Sequence, residues 1–419
     1  MVKAKKRLGM PFYLQTIIAM LLGVIVGIIF GPQAAFLGII AQLVITLIKA
    51  LATPLLFVTI FESVIDSQFK SKGVGKLITI CAINVLLATI IGLTIINLLQ
   101  PGAYLHDIVA ATLESGQKAE ISTKVSWAQA LQALIPESIV QPFVTNQIPP
   151  IIILAILFGI CLRRFSSSQK TIEIPCNDDI IKVSSSGIVE KTKVATHIAF
   201  QILIQAFHYI IYLIPLAVFA AVAKAVGLQG TAVFKGLLVY VVVCCGGMFL
   251  HILIVYQAWI RFYAGRSLIK FWSTVKNAAL YAFGVNSSLA TLPLTLKTLD
   301  ELKVSPGSAR LSACLGTNFN NDGIFLYQIV AILMVAQALG LDMSIGHQIN
   351  LTLLSLIATL GVAGIPEAGV IALTIIMTTA KMPLEIIPLL LSVDWIVARV
   401  RSVTNVLGDI TVAIAIDKK

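Results

Sequence analysis

Long apolar runs, each close to the thickness of a bilayer or longer, follow one another along most of the chain. They fall near 11–31, 36–65, 77–99, 148–163, 193–226, 230–258, 309–340, 348–380 and 386–416. Within each run the apolar residues are continuous, not alternating, which predicts helices and argues against a closed barrel. A straight crossing needs about 20 apolar residues; several runs exceed that, so tilt is expected. Two polar stretches interrupt the series. Ser168–Thr192 carries Lys170, Glu173, Asp178, Asp179, Lys182, Glu190 and Lys191 and is expected to be an exposed loop. Ser115–Ser126 precedes an amphipathic piece over Trp127–Val144. The first run, Leu14 to about Phe30, follows a basic start as a signal peptide would, but its length and the runs after it predict a retained helix.

The last third departs from this pattern. Gly284-Val285-Asn286-Ser287-Ser288 separates two half-length apolar segments, and Gly361-Val362-Ala363-Gly364-Ile365-Pro366 separates two more. Glycine and proline at membrane depth free backbone groups, which persist there only inside protein or along a cavity. Paired interruptions of this kind point to the binding site of a secondary transporter, with a structural kink as the competing reading.

Composition agrees with a bilayer as the main solvent. Of the 419 residues, 58% are hydrophobic and 12% charged, against about 25% charged in soluble domains. The net charge of +11 does not point to nucleic acid. Its basic residues gather at the ends of apolar runs, as in Lys3, Lys5, Lys6, Arg7, Arg163 and Arg164, with no aromatic-interleaved patch. That is the positive-inside pattern and places the N-terminus in the cytoplasm. Cys81, Cys161, Cys176, Cys244, Cys245 and Cys314 show no metal or redox spacing, and Cys244-Cys245 reads as helix packing. The five histidines, His106, His197, His208, His251 and His347, are scattered, so a membrane enzyme finds no support.

Two constellations carry chemistry. Gly316-Thr317-Asn318-Phe319-Asn320-Asn321-Asp322-Gly323 lies in the middle of an apolar run expected to be helical to about Leu339. A carboxylate at that depth is costly unless paired or coordinated. Amide and carboxylate oxygens on an irregular backbone suit a hard cation such as sodium; a polar helix–helix contact is the bland alternative. On the last run, Asp394, Arg401, Asn405 and Asp409 are spaced seven, four and four apart and share one helix face. Either they neutralise one another, or Arg401 offers a bidentate fork to a carboxylate ligand while Asn405 and Asp409 serve a cation. Arg399 lies off the stripe and is expected to point elsewhere, toward the interface or a second partner.

These motifs resemble those of the dicarboxylate/amino acid:cation symporters. The resemblance rests on Asn286-Ser287-Ser288-Leu289-Ala290-Thr291-Leu292-Pro293, on Asn320-Asn321-Asp322-Gly323 with Tyr327-Gln328, on Gly361–Pro366, and on Arg401 with Asn405-Val406-Leu407-Gly408-Asp409. It covers nearly the whole chain. It implies an all-α membrane protein of eight transmembrane helices and two re-entrant helical hairpins, at 267–300 and 346–382. Residues 1–226 would be mainly scaffold, with the third helix (about 73–100) joining the transport domain of 227–419. Elevator-like motion and a homotrimer follow from the same likeness, while the compact length and short tails lead to the expectation of a multi-pass plasma (inner) membrane location.

By position, the resemblance implies one sodium site at Gly316, Asn320, Asn405 and Asp409. A second would use backbone carbonyls of Asn318, Thr359, Leu360 and Val362. A third would use Asn320 and Asp322; there the hydroxyl positions of the family are Asn84, able to offer an amide oxygen, and Val85, which is not. Proton coupling is the alternative to sodium. Substrate positions would be Ser287, Ser288, Ile324, Ile365, Gly369, Ala398, Arg401 and Asn405. Arg401 matches the family's grip on an acidic group. Ala398 stands where amino-acid carriers place an aspartate for the substrate ammonium. Losing one charge-assisted hydrogen bond costs about 1.5–3 kcal/mol, or roughly tenfold to a hundredfold in affinity. A C4-dicarboxylate is therefore expected over glutamate or aspartate, unless Glu367 replaces the missing carboxylate. A receptor or channel-like protein of the same fold is the alternative from another class.

Overall fold

The computed structural model describes residues 10–66, 73–106, 138–145, 148–167, 171–176, 179–360 and 368–418, and nearly all of these are helical. Lys3, Lys5, Lys6 and Arg7, the Ser115–Ser126 stretch, and the second interruption with Val362, Ile365 and Glu367 lie outside the described residues, as does most of the amphipathic piece.

Among the described residues, four stretches are long and apolar enough to cross a membrane: Phe12–Glu62, Val74–Leu99, Ser186–Ile211 and Ile214–Tyr263. The first and last, of 51 and 50 residues, are each about twice a single crossing. Glycines at positive φ divide both. Gly31, at φ 53, ends α1 (Phe12–Phe30) before α2 (Gly38–Asp66). After α3 (Val74–Leu99), α4 (Ile148–Ser167) and α5 (Ser185–Ile211), Gly230, at φ 64, ends α6 (Ile214–Gln229) before α7 (Val233–His251). The run expected over 193–226 is thus two helices. Pro215 sits in the first turn of α6, and in a continuous helix its ring would collide with the carbonyl four residues back, so α5 stops at Ile211.

α1 packs along α6 through a stripe of small residues. A Cβ on Gly23 would come within 2.6 Å of the Phe219 carbonyl oxygen, and one on Gly27 within 2.8 Å of that of Ala223. Backbone approach of this kind is how helices associate where lipid supplies no hydrophobic drive. The outward faces stay apolar: Ile25, Ile28, Ile29 and Leu98 are exposed, as suits a surface bathed by acyl chains.

The described residues of the polar break over Ser168–Thr192 do not form a loop. Thr171–Cys176 (β1) and Asp179–Ser184 (β2) form an antiparallel ribbon, and α5 begins at Ser185. The register sets Ile172 opposite Val183, Glu173 opposite Lys182 and Ile174 opposite Ile181.

The last third brings the chemistry together. α8 (Leu268–Val285) and α9 (Ser288–Glu301) pack as a hairpin. Asn286 makes the turn in the left-handed region at φ 54, which asparagine tolerates, and Ser287 caps α9 through Ala290 N. α10 (Asp322–Ala338) is buried on nearly every side. α11 (Ile345–Leu360) and α12 (Ala368–Thr379) pack against each other and against α10. α13 (Ile387–Asp417) runs through the middle, touching α7, α8, α9, α10 and α12.

Candidate cation and substrate site

The Gly316–Gly323 group does not sit within a helix, as its apolar flanks suggest, but at a helix break. A short helix (Pro306–Arg310) passes into a π-turn (Leu311–Leu315), then a 3-10 turn (Gly316–Asn318); Phe319–Asn321 is non-helical before α10 starts. Asparagine side chains compete with helical hydrogen bonding and favour such ends. The Gly316 carbonyl accepts from Phe319 N and Asn320 N, both at 2.8 Å. Asp322 occupies the first turn of α10, where its charge faces the positive end of the helix dipole.

α13 supplies the opposite wall. Asp409 and Asp322 are 4% and 1% exposed. Asn320 Nδ2 donates to Asp409 Oδ1 at 3.3 Å, and Ser312 Oγ donates to the Asp409 carbonyl at 2.7 Å. Asn405 Oδ1 accepts from Gly323 N at 2.9 Å, and its Nδ2 donates to Asn321 Oδ1 at 3.3 Å. This interlock needs Gly408: a Cβ there would stand 2.5 Å from Asn320 Nδ2 and 2.6 Å from the Tyr256 hydroxyl.

α7 closes the third side. It does not stop at His251 but continues through two π-turns, Ile252–Tyr256 and Trp259–Tyr263. On a regular helix, residues five apart point about 140° away from each other. The π-turn narrows that angle, a device common at functional sites. Tyr256 OH and His251 Nε2 thereby reach the same oxygen, Asp322 Oδ2, at 2.9 and 3.1 Å. Asp322 Oδ1 is buried with no hydrogen-bond partner among the described residues. From α3, Asn84 Nδ2 donates to Asn320 Oδ1 at 3.2 Å while Trp259 Nε1 donates to Asn84 Oδ1 at 2.7 Å.

Among the described residues, no lysine or arginine pairs with Asp322 or Asp409. Two carboxylates buried at membrane depth, one with an unpartnered oxygen, amid amide and carbonyl oxygens fit a hard monovalent cation. Of the positions expected to serve one, Gly316, Asn320, Asp322, Asn405, Asp409 and Asn84 converge here. The Thr359 hydroxyl donates to Gln328 Oε1 and to the Ser355 carbonyl. Asn318 lies in the 3-10 turn and Leu360 ends α11.

Arg401 forms the centre of a second group. Its Nη1 and Nη2 donate to Asp394 Oδ1 and Oδ2 at 3.2 and 3.4 Å, and Tyr327 covers its guanidinium with the ring centroid 4.6 Å away. The mutual-neutralisation reading of the α13 stripe therefore holds for Asp394 and Arg401, whereas Asp409 turns to Asn320. Gly369 on α12 lies against the guanidinium, where any side chain would collide with it. Ile324 and Ala398 are buried nearby along α10 and α13. Ser287 and Ser288 are half-buried at the hairpin turn, which Ser402 ties to α13 by donating to Asn286 Oδ1 at 3.0 Å. A cleft of about 270 Å³ opens beside this group, lined by Asn286, Asp394, Ala398 and Arg399 and by Tyr13 of α1. Arg399 spans it, its guanidinium 4.4 Å from the Tyr13 ring centroid.

Three contributors escaped sequence reasoning: His251, Tyr256 and Trp259. His251 carried a usable signal, an ionisable group inside an apolar run, although its spacing to other histidines said nothing. Tyr256 and Trp259 carried none, because only the π-turns aim them inward.

The chain matches the sodium:dicarboxylate symporter family over residues 12–419. It is 27% identical over 403 residues to the C4-dicarboxylate transport protein of Bacillus subtilis (strain 168), covering 94% of this chain and 90% of that one. It is 28% identical over 418 residues to the C4-dicarboxylate transport protein 2 of Pseudomonas paraeruginosa (strain DSM 24068 / PA7), covering 97% and 90%. Against the C4-dicarboxylate transport protein of Laribacter hongkongensis (strain HLHK9) the identity is 25% over 423 residues, covering 99% and 90%. The family expected from the Asn286–Pro293, Asn320–Gly323 and Arg401–Asp409 motifs is borne out: this chain belongs to the sodium:dicarboxylate symporter family and is a membrane-embedded transport protein.

Proposed function

We propose that the protein is a sodium-coupled symporter importing a small acidic solute of the C4-dicarboxylate class, such as succinate, malate or fumarate. The observation that carries this reading is the buried Arg401, oriented by Asp394 and covered by Tyr327, with only the methyl group of Ala398 one turn away. An oriented guanidinium offers a carboxylate parallel N–H donors. Ala398 offers nothing to a substrate ammonium. The names of the relatives support the same substrate class.

Sodium is the coupling ion in this reading and travels as cargo. Asp409, Asn405, Asn320 and the Gly316 carbonyl form its best-supported site, and Asp322 a second centre of negative charge. Loading a cation lowers the electrostatic cost of two buried carboxylates and so favours entry of a further anion at Arg401. Asn318, Thr359, Leu360 and Val362 remain proposed carbonyl ligands. Ser287, Ser288, Ile365 and Gly369 remain proposed substrate neighbours. The same family reading assigns α1, α2 and the α4–α6 region to a trimeric scaffold. It assigns α3, α7 and everything after it to a transport domain moving elevator-fashion, with the N-terminus cytoplasmic.

The test is accumulation in proteoliposomes. Under an inward sodium gradient, purified protein should concentrate labelled succinate or malate, and excess unlabelled dicarboxylate should block the uptake. Aspartate uptake that ignores excess dicarboxylate overturns the substrate class. Equal uptake driven by a pH gradient without sodium overturns the ion. Equilibration without concentration would point instead to a channel-like protein.

A further inference from the structure

The hydrogen bonds around Asn84 form a chain with one direction. Trp259 Nε1 donates to Asn84 Oδ1 at 2.7 Å, Asn84 Nδ2 to Asn320 Oδ1 at 3.2 Å, and Asn320 Nδ2 to Asp409 Oδ1 at 3.3 Å. A side-chain amide taken alone can be turned over, exchanging oxygen for nitrogen. These two cannot, because the indole end of the chain is chemically one-way: an indole N–H only donates. Turning Asn84 over sets donor against donor at the indole and oxygen against oxygen at Asn320. Turning both amides over still leaves donor against donor at the indole. Asn84 is 0% and Asn320 1% exposed, so solvent cannot absorb either mismatch.

Trp259 is held from outside the site. It opens the π-turn Trp259–Tyr263. Its ring meets Tyr263 edge-on, with centroids 4.9 Å apart at 81°. Tyr263 in turn lies under Lys418 at 4.4 Å and Lys76 at 5.8 Å. The donor that sets the chain's direction is therefore anchored independently of the carboxylates it acts on.

We propose that Trp259 is a positioning residue for the cation site. It locks Asn84 with its N–H groups toward Asn320, turns the Asn84 oxygen away from the ligand set, and holds Asn320 against the Asp409 carboxylate. Asn84 is then an orienting link and not a cation ligand. This rests on the reading that Asp409 receives sodium.

The test is a sodium titration of the purified full-length protein by thermal unfolding in detergent, alongside uptake in proteoliposomes. Trp259→Phe keeps the ring against Tyr263 and removes the N–H. It should weaken apparent sodium affinity by about two- to tenfold, the range of one neutral hydrogen bond. The melting temperature without sodium should fall modestly, as the loss of one buried hydrogen bond requires, while the dicarboxylate KM at saturating sodium should change less than the sodium affinity does. Asn84→Val should produce the same loss, and Trp259→Phe added to Asn84→Val should produce no more. Unchanged sodium affinity in Trp259→Phe overturns the proposal, as does a full additional loss in the double variant. If Trp259→Phe does not fold, Asn84→Val decides alone, and wild-type sodium affinity there overturns it. Asp409→Asn separates the two levels. If it too leaves the sodium titration unchanged, the cation reading fails. If it abolishes the titration while Trp259→Phe does not touch it, only the role of Trp259 fails.

Discussion

Arg401 and Asp394, two turns apart on α13, form a two-pronged ion pair, Nη1 to Oδ1 at 3.2 Å and Nη2 to Oδ2 at 3.4 Å, with each side chain 7% exposed. A pair this buried contributes little net stability when intact, but removing one partner strands a charge, at about 3–5 kcal/mol. Asp394→Asn should therefore lower thermal stability clearly. It should also weaken dicarboxylate uptake, because the guanidinium loses the group that orients it.

Arg401→Lys keeps the charge and loses the fork. A point-charge ammonium cannot hold Asp394 and a substrate carboxylate with parallel bonds. Dicarboxylate KM should rise by about tenfold or more, the equivalent of one charge-assisted hydrogen bond. Competition of labelled succinate by unlabelled succinate measures this directly. A KM within twofold of wild type would count against Arg401 as the substrate anchor.

Tyr327 presents its ring, with the centroid 4.6 Å from the Arg401 guanidinium carbon. A desolvated cation–π contact is worth up to about 2 kcal/mol. Tyr327→Phe should leave uptake close to wild type, whereas Tyr327→Leu should raise dicarboxylate KM by several-fold. Similar losses in both variants would show that the hydroxyl, not the ring, matters.

Asp409→Asn removes the charge proposed to face sodium and should sharply reduce sodium dependence of uptake, with dicarboxylate recognition at Arg401 kept. Gly408→Ala attacks the same site sterically, since its Cβ would fall within 2.6 Å of Asn320 and Tyr256 atoms. It should reproduce the sodium defect and lower the melting temperature. Normal sodium titration in both variants would place the coupling site elsewhere.

Arg399 reaches from α13 to Tyr13 of α1, with its guanidinium 4.4 Å from the ring centroid, across the proposed boundary between moving and fixed parts. If that boundary slides, weakening the contact changes kcat more than KM. Tyr13→Leu and Arg399→Gln should each alter turnover, and the double variant should show coupling of about 0.5–1 kcal/mol. Strict additivity would mean that the contact does not form in the working protein.

Much of this arrangement was legible from residue order. Continuous apolar runs are forced into helices by lipid, which leaves backbone groups no other partner. Asp394, Arg401, Asn405 and Asp409 could be placed on one face because helical spacing is fixed geometry. The Asn286 turn was legible as an interruption in an apolar segment. The β1–β2 ribbon was not legible, because the charged residues of Ser168–Thr192 mask the short alternation of Ile172 and Ile174 with Glu173 along the sequence.

By itself, then, the sequence determined the class, the helices and the polar stripe on α13, all of which follow from periodicity and from burial costs local to the chain. It left open which stripe member answers which partner. Only the tertiary structure decided that Asp394 turns to Arg401 while Asp409 turns to Asn320, and that His251 and Tyr256 share one oxygen of Asp322. It also set Trp259 on Asn84, 175 residues away along the chain. The physical reason is that competing partners meet only on folding. Asp394 and Arg401 share a regular helix face, but at the other contacts π-turns and a helix break rotate side chains by angles that no repeat encodes, and the direction of an amide is settled by whatever donor or acceptor packing brings to its far end.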